Sequence, residues 1–255
     1  MTIRTATLNG VATIEIARPE KKNAITGAMY LELADAFRRA TEDRAARAVL
    51  LTGQPGIFTS GNDVEDFLNA PPRTGDSEPA SHAFMRALMD CEKPVVAGVT
   101  GAAIGIGTTM LLHCDLVYVA DDARLAMPFV ALGLVPEFAS SVLAARTMGQ
   151  RRAAEKILLG DPFSGADAVE MGIANAVLPS AEVVPHARRV AERFNLLPPG
   201  AVRETKKLLR RADRATLDEA IRLETGVFAE RLQSPEAKEA FGAFLGKRKP
   251  DFSRF

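Results

Sequence analysis

Apolar and polar positions in the first half of the chain alternate between strand-like and helix-like patterns. Residues 12–17 follow the two-residue period of a strand, and residues 48–52 form a short apolar run typical of a strand buried on both faces. An apolar stripe with helical spacing lies between them, and its members are Met29, Leu33, Phe37 and Ala40. A helix at 81–90 and strands at 94–99 and 115–120 continue the alternation. This order predicts an α/β fold with a parallel core sheet.

The pattern in the second half is almost entirely helical. Residues 164–167 and 216–219 have the spacing of helix capping boxes, and a serine followed by proline at 234–235 is typical of a helix start. We therefore predict an α/β core over residues 1–195 and a C-terminal helical region over residues 196–255.

Composition limits the classes of function. The 255 residues include 32 basic and 32 acidic side chains, and this balance argues against nucleic acid or an anionic membrane as a partner. Cys91 and Cys114 are too few for a disulfide framework and have no metal-ligand spacing, so we expect a reducing, cytoplasmic location. The first 16 residues lack the pattern of a signal peptide. Residues 69–78, rich in Pro, Gly and charge, predict a surface loop.

Two glycine-rich turns each lie between a predicted buried strand and a helix. The first has the sequence TSGND at 59–63, and the second has GAAIGIG at 101–107. Both can present free backbone N–H groups at a helix N-terminus, where the partial positive charge favours an anion. Each turn alone is equally explained by tight packing. A dinucleotide-binding fingerprint is excluded because its third glycine is replaced by Met110.

Glu137 is the only charged residue between Arg124 and Arg146. Apolar neighbours would desolvate its carboxyl group, raise its pKa and make it a better proton carrier near neutrality. The alternative is an exposed acid at a surface turn or helix start, and the local pattern is compatible with both.

The chain resembles the crotonase family, which comprises enoyl-CoA hydratases and isomerases. The matching segments, in family order, are ARPEKKNAIT, VLLTGQPGIFTSGNDVEDF, KPVVAGVTGAAIGIGTTMLLHCDLVYVADDARLAMP, GLVPEFASS, LLGDPFSGADAVEMGIANAVLP and KRKPDF. The resemblance implies a ClpP-like spiral of ββα units with a C-terminal helical trimerisation region. It also implies an acyl-CoA thioester substrate, no separate cofactor, and a homotrimer or dimer of trimers.

The resemblance also implies a set of site residues. The backbone N–H groups of Asn62 and Ile106 would form an oxyanion hole that holds the thioester oxygen as it becomes an enolate. The implied substrate-binding positions are Ala24, Ser60, Gly61, Asp63, Val64, Gly105, Phe129 and Pro136. For Asp63, capping of the following helix is the alternative.

The acidic positions distinguish the reactions of the family. Similar enoyl-CoA hydratases carry two glutamates, and their places here hold Thr109 and Phe129. Glu137 stands where Δ3,Δ2-enoyl-CoA isomerases carry a single catalytic glutamate. One acid can remove a proton and return it to another carbon, so the resemblance implies a Δ3,Δ2-enoyl-CoA isomerase. The alternatives are an enoyl-CoA hydratase and a non-catalytic acyl-CoA-binding homologue.

Overall fold

The computed structural model describes residues 2–68, 78–211 and 214–255. Apart from Glu78, the predicted loop at 69–78 lies outside the described residues. The elements up to the second glycine-rich turn and its helix are β1 (Ile3–Leu8), β2 (Val11–Ile16), α1 (Gly27–Glu42), β3 (Ala48–Thr52), β4 (Ile57–Thr59), α2 (Val64–Leu68), α3 (Ala80–Met89), β5 (Val95–Val99), β6 (Ala102–Ile104) and α4 (Ile106–Thr109).

The remaining elements are the last strands of the two sheets and the helices that lie between and after them. In chain order they are β7 (Leu116–Ala120), β8 (Arg124–Ala126), α5 (Ser140–Met148), α6 (Gln150–Ala154), β9 (Phe163–Ser164), α7 (Gly165–Glu170), β10 (Ala176–Leu178), α8 (Ser180–Glu192), α9 (Pro199–Arg211), α10 (Arg214–Leu232) and α11 (Pro235–Leu245).

The strands form two sheets, and from β3 to β8 consecutive strands alternate between them. The larger sheet has the order β1-β2-β3-β5-β7-β10, and the smaller has the order β4-β6-β8-β9. The pairs β3–β4, β5–β6 and β7–β8 each place their first strand in the large sheet and their second in the small sheet. The large sheet is parallel except for the β1–β2 hairpin. The α/β fold predicted from the sequence is confirmed, and the repeated strand pairs with their following helices form the ββα spiral.

The central strands of the large sheet, β3 and β5, are buried on both faces, which explains why they are predominantly apolar. Leu50 of β3 belongs to a small cluster with Ala187 and Ala191 of α8. Its neighbours Val49 and Leu51 point to the other face and join the main core. The predicted strand at 48–52 matches β3, and all four members of the predicted stripe in α1 are buried.

The second half is almost entirely helical, as predicted, and the short strands β9 and β10 interrupt it. The capping box predicted at 216–219 is wrong, because α10 already begins at Arg214 and Glu219 bonds to Arg222 within the helix. By contrast, the box at 164–167 is confirmed, since Ser164 and Asp167 satisfy each other's backbone N–H groups.

The helical C-terminal part leaves large apolar side chains exposed. They include Leu208, Leu209, Leu223 and Phe244. Assembly through this region stays a prediction, as does the division of the chain at residue 195. None of the described helices combines the length and the apolar character that crossing a membrane requires.

Candidate active site

The two glycine-rich turns pack directly against each other. A Cβ atom on Gly61 would lie 2.8 Å from the carbonyl oxygen of Ile104, and Gly61 has a φ of +91°. A Cβ atom on Gly107 would lie 2.5 Å from Cγ2 of Thr59. Both positions therefore need glycine, because a side chain would force the turns apart. This close approach brings Asn62 of the first turn and Ile106 of the second turn to one region.

Among the described residues, local hydrogen bonding leaves the backbone N–H groups of Asn62 and Ile106 available. Ile25 donates its N–H to Gly61 O at 2.8 Å and accepts from Asp63 N at 2.9 Å, so the N–H of the intervening Asn62 points away from Ile25. Ile106 is the first residue of α4, and an N–H at a helix start has no partner within the helix. The predicted oxyanion-hole donors are therefore chemically suited to an oxygen anion.

A buried asparagine fixes the segment that lies alongside the first turn. The side chain of Asn23 accepts from Arg18 N at 2.7 Å and donates to Ile16 O at 3.0 Å and Phe58 O at 3.1 Å. Thr59 Oγ1 donates to Asn23 O at 2.7 Å. Asn23 has a φ of +55°, a left-handed conformation that asparagine tolerates better than most residues. The sequence analysis missed this residue, although it lies within the segment ARPEKKNAIT.

Asp63 is engaged within the protein. Its carboxylate accepts from Arg18 Nη1 at 2.7 Å and from Asp66 N at 3.1 Å, which caps the start of α2. Burial opposes ionisation, but the hydrogen bonds from Arg18 and Asp66 outweigh it and hold the pKa of Asp63 below its usual range. These contacts match the capping alternative for Asp63.

Glu137 lies at the entrance to α5, in a turn that holds its backbone tightly. Ser140 donates to Glu137 O through both its N–H at 3.1 Å and its Oγ at 2.6 Å. Phe138 and Ala139, which follow Glu137, have φ values of 60° and 55°. Thr109 Oγ1 of α4 donates to Glu137 Oε1 at 2.5 Å. A threonine at one predicted hydratase position thus contacts the single remaining acid.

The environment of Glu137 strongly favours its neutral form. The residue keeps part of its surface in contact with solvent, but protein atoms surround its carboxyl group closely. Burial raises the pKa of Glu137 to about 8; the hydrogen bond from Thr109 partly offsets this effect, and the charge of Glu224 adds to it. A carboxyl group with this pKa can both accept and donate a proton near neutral pH.

Tyr30 bonds to the first turn and lies within the electrostatic influence of Glu137, and the sequence analysis missed this residue. Its hydroxyl group donates to Asn62 Oδ1. Burial raises the pKa of Tyr30 well above its usual value, and the nearby charge of Glu137 contributes further. Because Tyr30 lies beside the apolar stripe of α1, its sequence pattern is that of a core aromatic residue.

The other predicted substrate-binding positions lie in the two glycine-rich turns, next to them in sequence or fold, or next to Glu137. Ala24 O accepts from Arg18 Nη1 at 2.9 Å, and Ser60 N donates to Lys22 O at 3.1 Å. A Cβ on Gly105 would lie 4.0 Å from the ring of buried Phe129. Val64 begins α2, and Pro136 directly precedes Glu137. Within the described ranges, no three His, Cys, Asp or Glu side chains group closely enough to hold a metal ion.

Two available backbone donors beside a buried acid of raised pKa form a site that can stabilise a developing oxyanion and move a proton. Residues 6–254 match the sequence model of the family described as enoyl-CoA hydratase/isomerase. The chain belongs to this family, and it is therefore a crotonase-superfamily enzyme.

The names of individual relatives include both isomerases and hydratases. Human "Enoyl-CoA delta isomerase 2" is 32% identical over 94% of this chain and 62% of its own length, so the chain spans less than two thirds of that protein. A "Probable enoyl-CoA hydratase" of Bacillus subtilis (strain 168) is 30% identical over 95% of each chain. A solved enoyl-CoA hydratase/isomerase from Pseudoalteromonas atlantica T6c has a TM-score of 0.94 and 38% identity, covering 99% of this chain and 100% of that one. The fold is the crotonase fold.

Proposed function

We propose that this protein is a Δ3,Δ2-enoyl-CoA isomerase acting on acyl-CoA thioesters. The observation that carries the proposal is the single acid of the site. Glu137 contacts Thr109, and Phe129 occupies the other position where a hydratase glutamate would stand. Addition of water needs a positioned water molecule and normally a second acid, whereas transfer of one proton between two carbons needs one.

The proposed reaction begins with Glu137 as a carboxylate. Its oxygen takes a proton from C2 of a 3-enoyl-CoA, and the electron pair moves onto the thioester oxygen to give a dienolate. The N–H groups of Asn62 and Ile106 hold this oxygen, and such donors contribute about 3–4 kcal/mol each in comparable enzymes. Glu137, now protonated, donates the proton to C4, which gives the 2-enoyl-CoA and restores the carboxylate.

The proposal is tested by replacing Glu137 with glutamine. Loss of the proton carrier should lower isomerisation of 3-hexenoyl-CoA by about 100- to 10,000-fold while acyl-CoA binding is largely kept. Glu230→Gln is the matched control, because Glu230 is exposed on α10 and the substitution is chemically identical. Isomerisation by Glu137→Gln at the parental rate would refute the assignment.

Labelling separates the alternatives. In deuterated water, proton transfer by a residue that exchanges with solvent should place deuterium at C4 of the product and at C2 of recovered substrate, read by NMR and mass spectrometry. Efficient conversion of crotonyl-CoA to 3-hydroxyacyl-CoA would instead support a hydratase, the activity named for the Bacillus subtilis relative. Binding without any deuterium uptake would support a non-catalytic acyl-CoA-binding protein.

We also propose that the enzyme needs no cofactor beyond the CoA of its substrate and that it assembles as a homotrimer or dimer of trimers. The exposed apolar side chains of α9, α10 and α11 support this assembly, since burying them between subunits would be favourable.

A further inference from the structure

Helix α10 reaches back across the fold and contacts the turn that follows Glu137. Glu224 of α10 is only 8% exposed. One of its carboxylate oxygens accepts the N–H of Ala139 at 2.7 Å, and the other accepts the N–H of Ser141 at 3.0 Å. The hydroxyl of Ser141 also donates to Glu224. A single carboxylate thus satisfies the free donors at the start of α5, as an N-cap side chain would, but from a distant helix.

The turn that Glu224 contacts has an unfavourable backbone conformation. Phe138 and Ala139 are consecutive residues with left-handed φ values, and neither is glycine. Such a conformation persists only when surrounding contacts hold it. On one side, the ring of Phe138 stacks on His113 with centroids 3.8 Å apart, and His113 Nε2 donates to Phe138 O at 2.7 Å. Glu224 holds the other side.

We propose that Glu224 is a positioning residue, which fixes the left-handed turn at residues 138–139 and thereby holds the Glu137 carboxyl group against α4. The inference rests on the proposed function, because Glu224 would act through Glu137. Glu137 sits immediately before the turn, so rotation of the turn would carry its side chain away from Thr109.

The negative charge of Glu224 also has an effect that can be measured separately from stability, because it raises the pKa of Glu137. The titratable groups that face this region are Tyr30 from α1, His113 from the segment after α4, and Glu224 from α10. Burial lowers the pKa of His113 to about 4, so this ring is neutral near pH 7, and burial keeps Tyr30 neutral as well. Burial raises the pKa of Glu224 itself, but the hydrogen bonds from Ser141 and Ala139 favour its carboxylate form. In that form its negative charge opposes ionisation of Glu137.

The test compares Glu224→Gln, Glu224→Asp and the exposed control Glu230→Gln. Glu224→Gln removes the charge and one acceptor oxygen, so kcat should fall about 10- to 100-fold with little change in KM, and the pH midpoint of activity should move to lower pH. Glu224→Asp keeps the charge but shortens the reach, so kcat should fall even though the negative charge is retained. Circular dichroism melting checks that each variant is folded.

An infrared titration distinguishes a failure of this inference from a failure of the proposed function. The C=O stretch of the neutral Glu137 carboxyl, isolated by subtracting the spectrum of Glu137→Gln, reports its ionisation in the unliganded protein. If the wild-type protein does not isomerise 3-enoyl-CoA, the proposed function fails, while the infrared midpoint of Glu224→Gln still decides this inference. A lowered midpoint supports it. A midpoint equal to that of Glu230→Gln overturns it, whatever happens to kcat.

Discussion

Replacement of Glu137 by glutamine is expected to stabilise the folded protein at neutral and alkaline pH. The carboxyl group has a pKa of about 8 in the folded protein, against an ordinary value of 4.5. Between these two values the unfolded chain releases the proton while the folded protein keeps it. The free energy of unfolding must therefore fall as the pH rises from 4.5 to 8. Glutamine has nearly the same shape but cannot ionise, so its contribution is independent of pH.

The magnitude follows from the difference in pKa. Each pKa unit corresponds to about 1.4 kcal/mol, so Glu137→Gln should exceed the wild type by about 3 kcal/mol at pH 7 and by at most about 4–5 kcal/mol above pH 8. Below pH 4.5 the carboxyl group is neutral in both states, and the difference should disappear. The variant should thus gain stability under the same conditions in which it loses activity.

Urea denaturation between pH 5 and pH 9 measures this difference. Protein concentration must be held constant, because an assembly would make the apparent stability depend on it. Glu230→Gln, on an exposed position of α10, serves as the control for the glutamine substitution itself. A stability difference for Glu137→Gln that is the same at every pH would show that Glu137 is not held as a neutral acid, and the reasoning would be refuted.

Two further predictions concern activity. Glu137 must be ionised to take the C2 proton, so kcat/KM for 3-hexenoyl-CoA should rise about tenfold per pH unit up to about pH 8 and then level off; a profile that is flat between pH 6 and pH 8 would contradict this. Gly61→Ala should lower kcat by about 100-fold, because its Cβ would lie 2.8 Å from Ile104 O and displace the N–H of Asn62. Gly56→Ala has comparable backbone strain, with a φ of +77°, but nothing within 4 Å, so it should keep its activity; equal losses in both variants would indicate strain alone.

The parts of the fold that could be predicted from sequence depend on local pattern. Strand β3 was predicted with its observed bounds because four consecutive apolar residues followed by a threonine are suited to a sheet covered on both faces. The stripe of α1 was also recognisable, since its spacing alone determines which side is buried. By contrast, the acidic residue at position 219 has the correct spacing for a capping box, yet the helix starts earlier and the side chain pairs within it.

The supporting contacts of the site could not be predicted in the same way. Glu224 contacts residues far away in sequence, and nothing in its own helix distinguishes it from the other acids of α10. Tyr30 resembles a core residue until the fold brings its hydroxyl group to Asn62. Arg18 and Asp63 are likewise joined only by folding. Motifs indicate where the reactive groups lie, whereas the groups that orient them are brought together by the fold.

The contact between Glu224 and Ala139 also has a consequence for protein synthesis, since 85 positions separate the two residues. At about 5–20 residues per second, a ribosome needs about 4–17 s to proceed from one to the other. By the time α10 is made, all the described strands of both sheets have been synthesised, yet until then the start of α5 lacks its carboxylate acceptor. A chain that ends before α10 would keep both glycine-rich turns and Glu137 without the contact that fixes the turn beside it. With the role proposed for Glu224, the site would be completed late in synthesis, after most of the framework of the fold has been made.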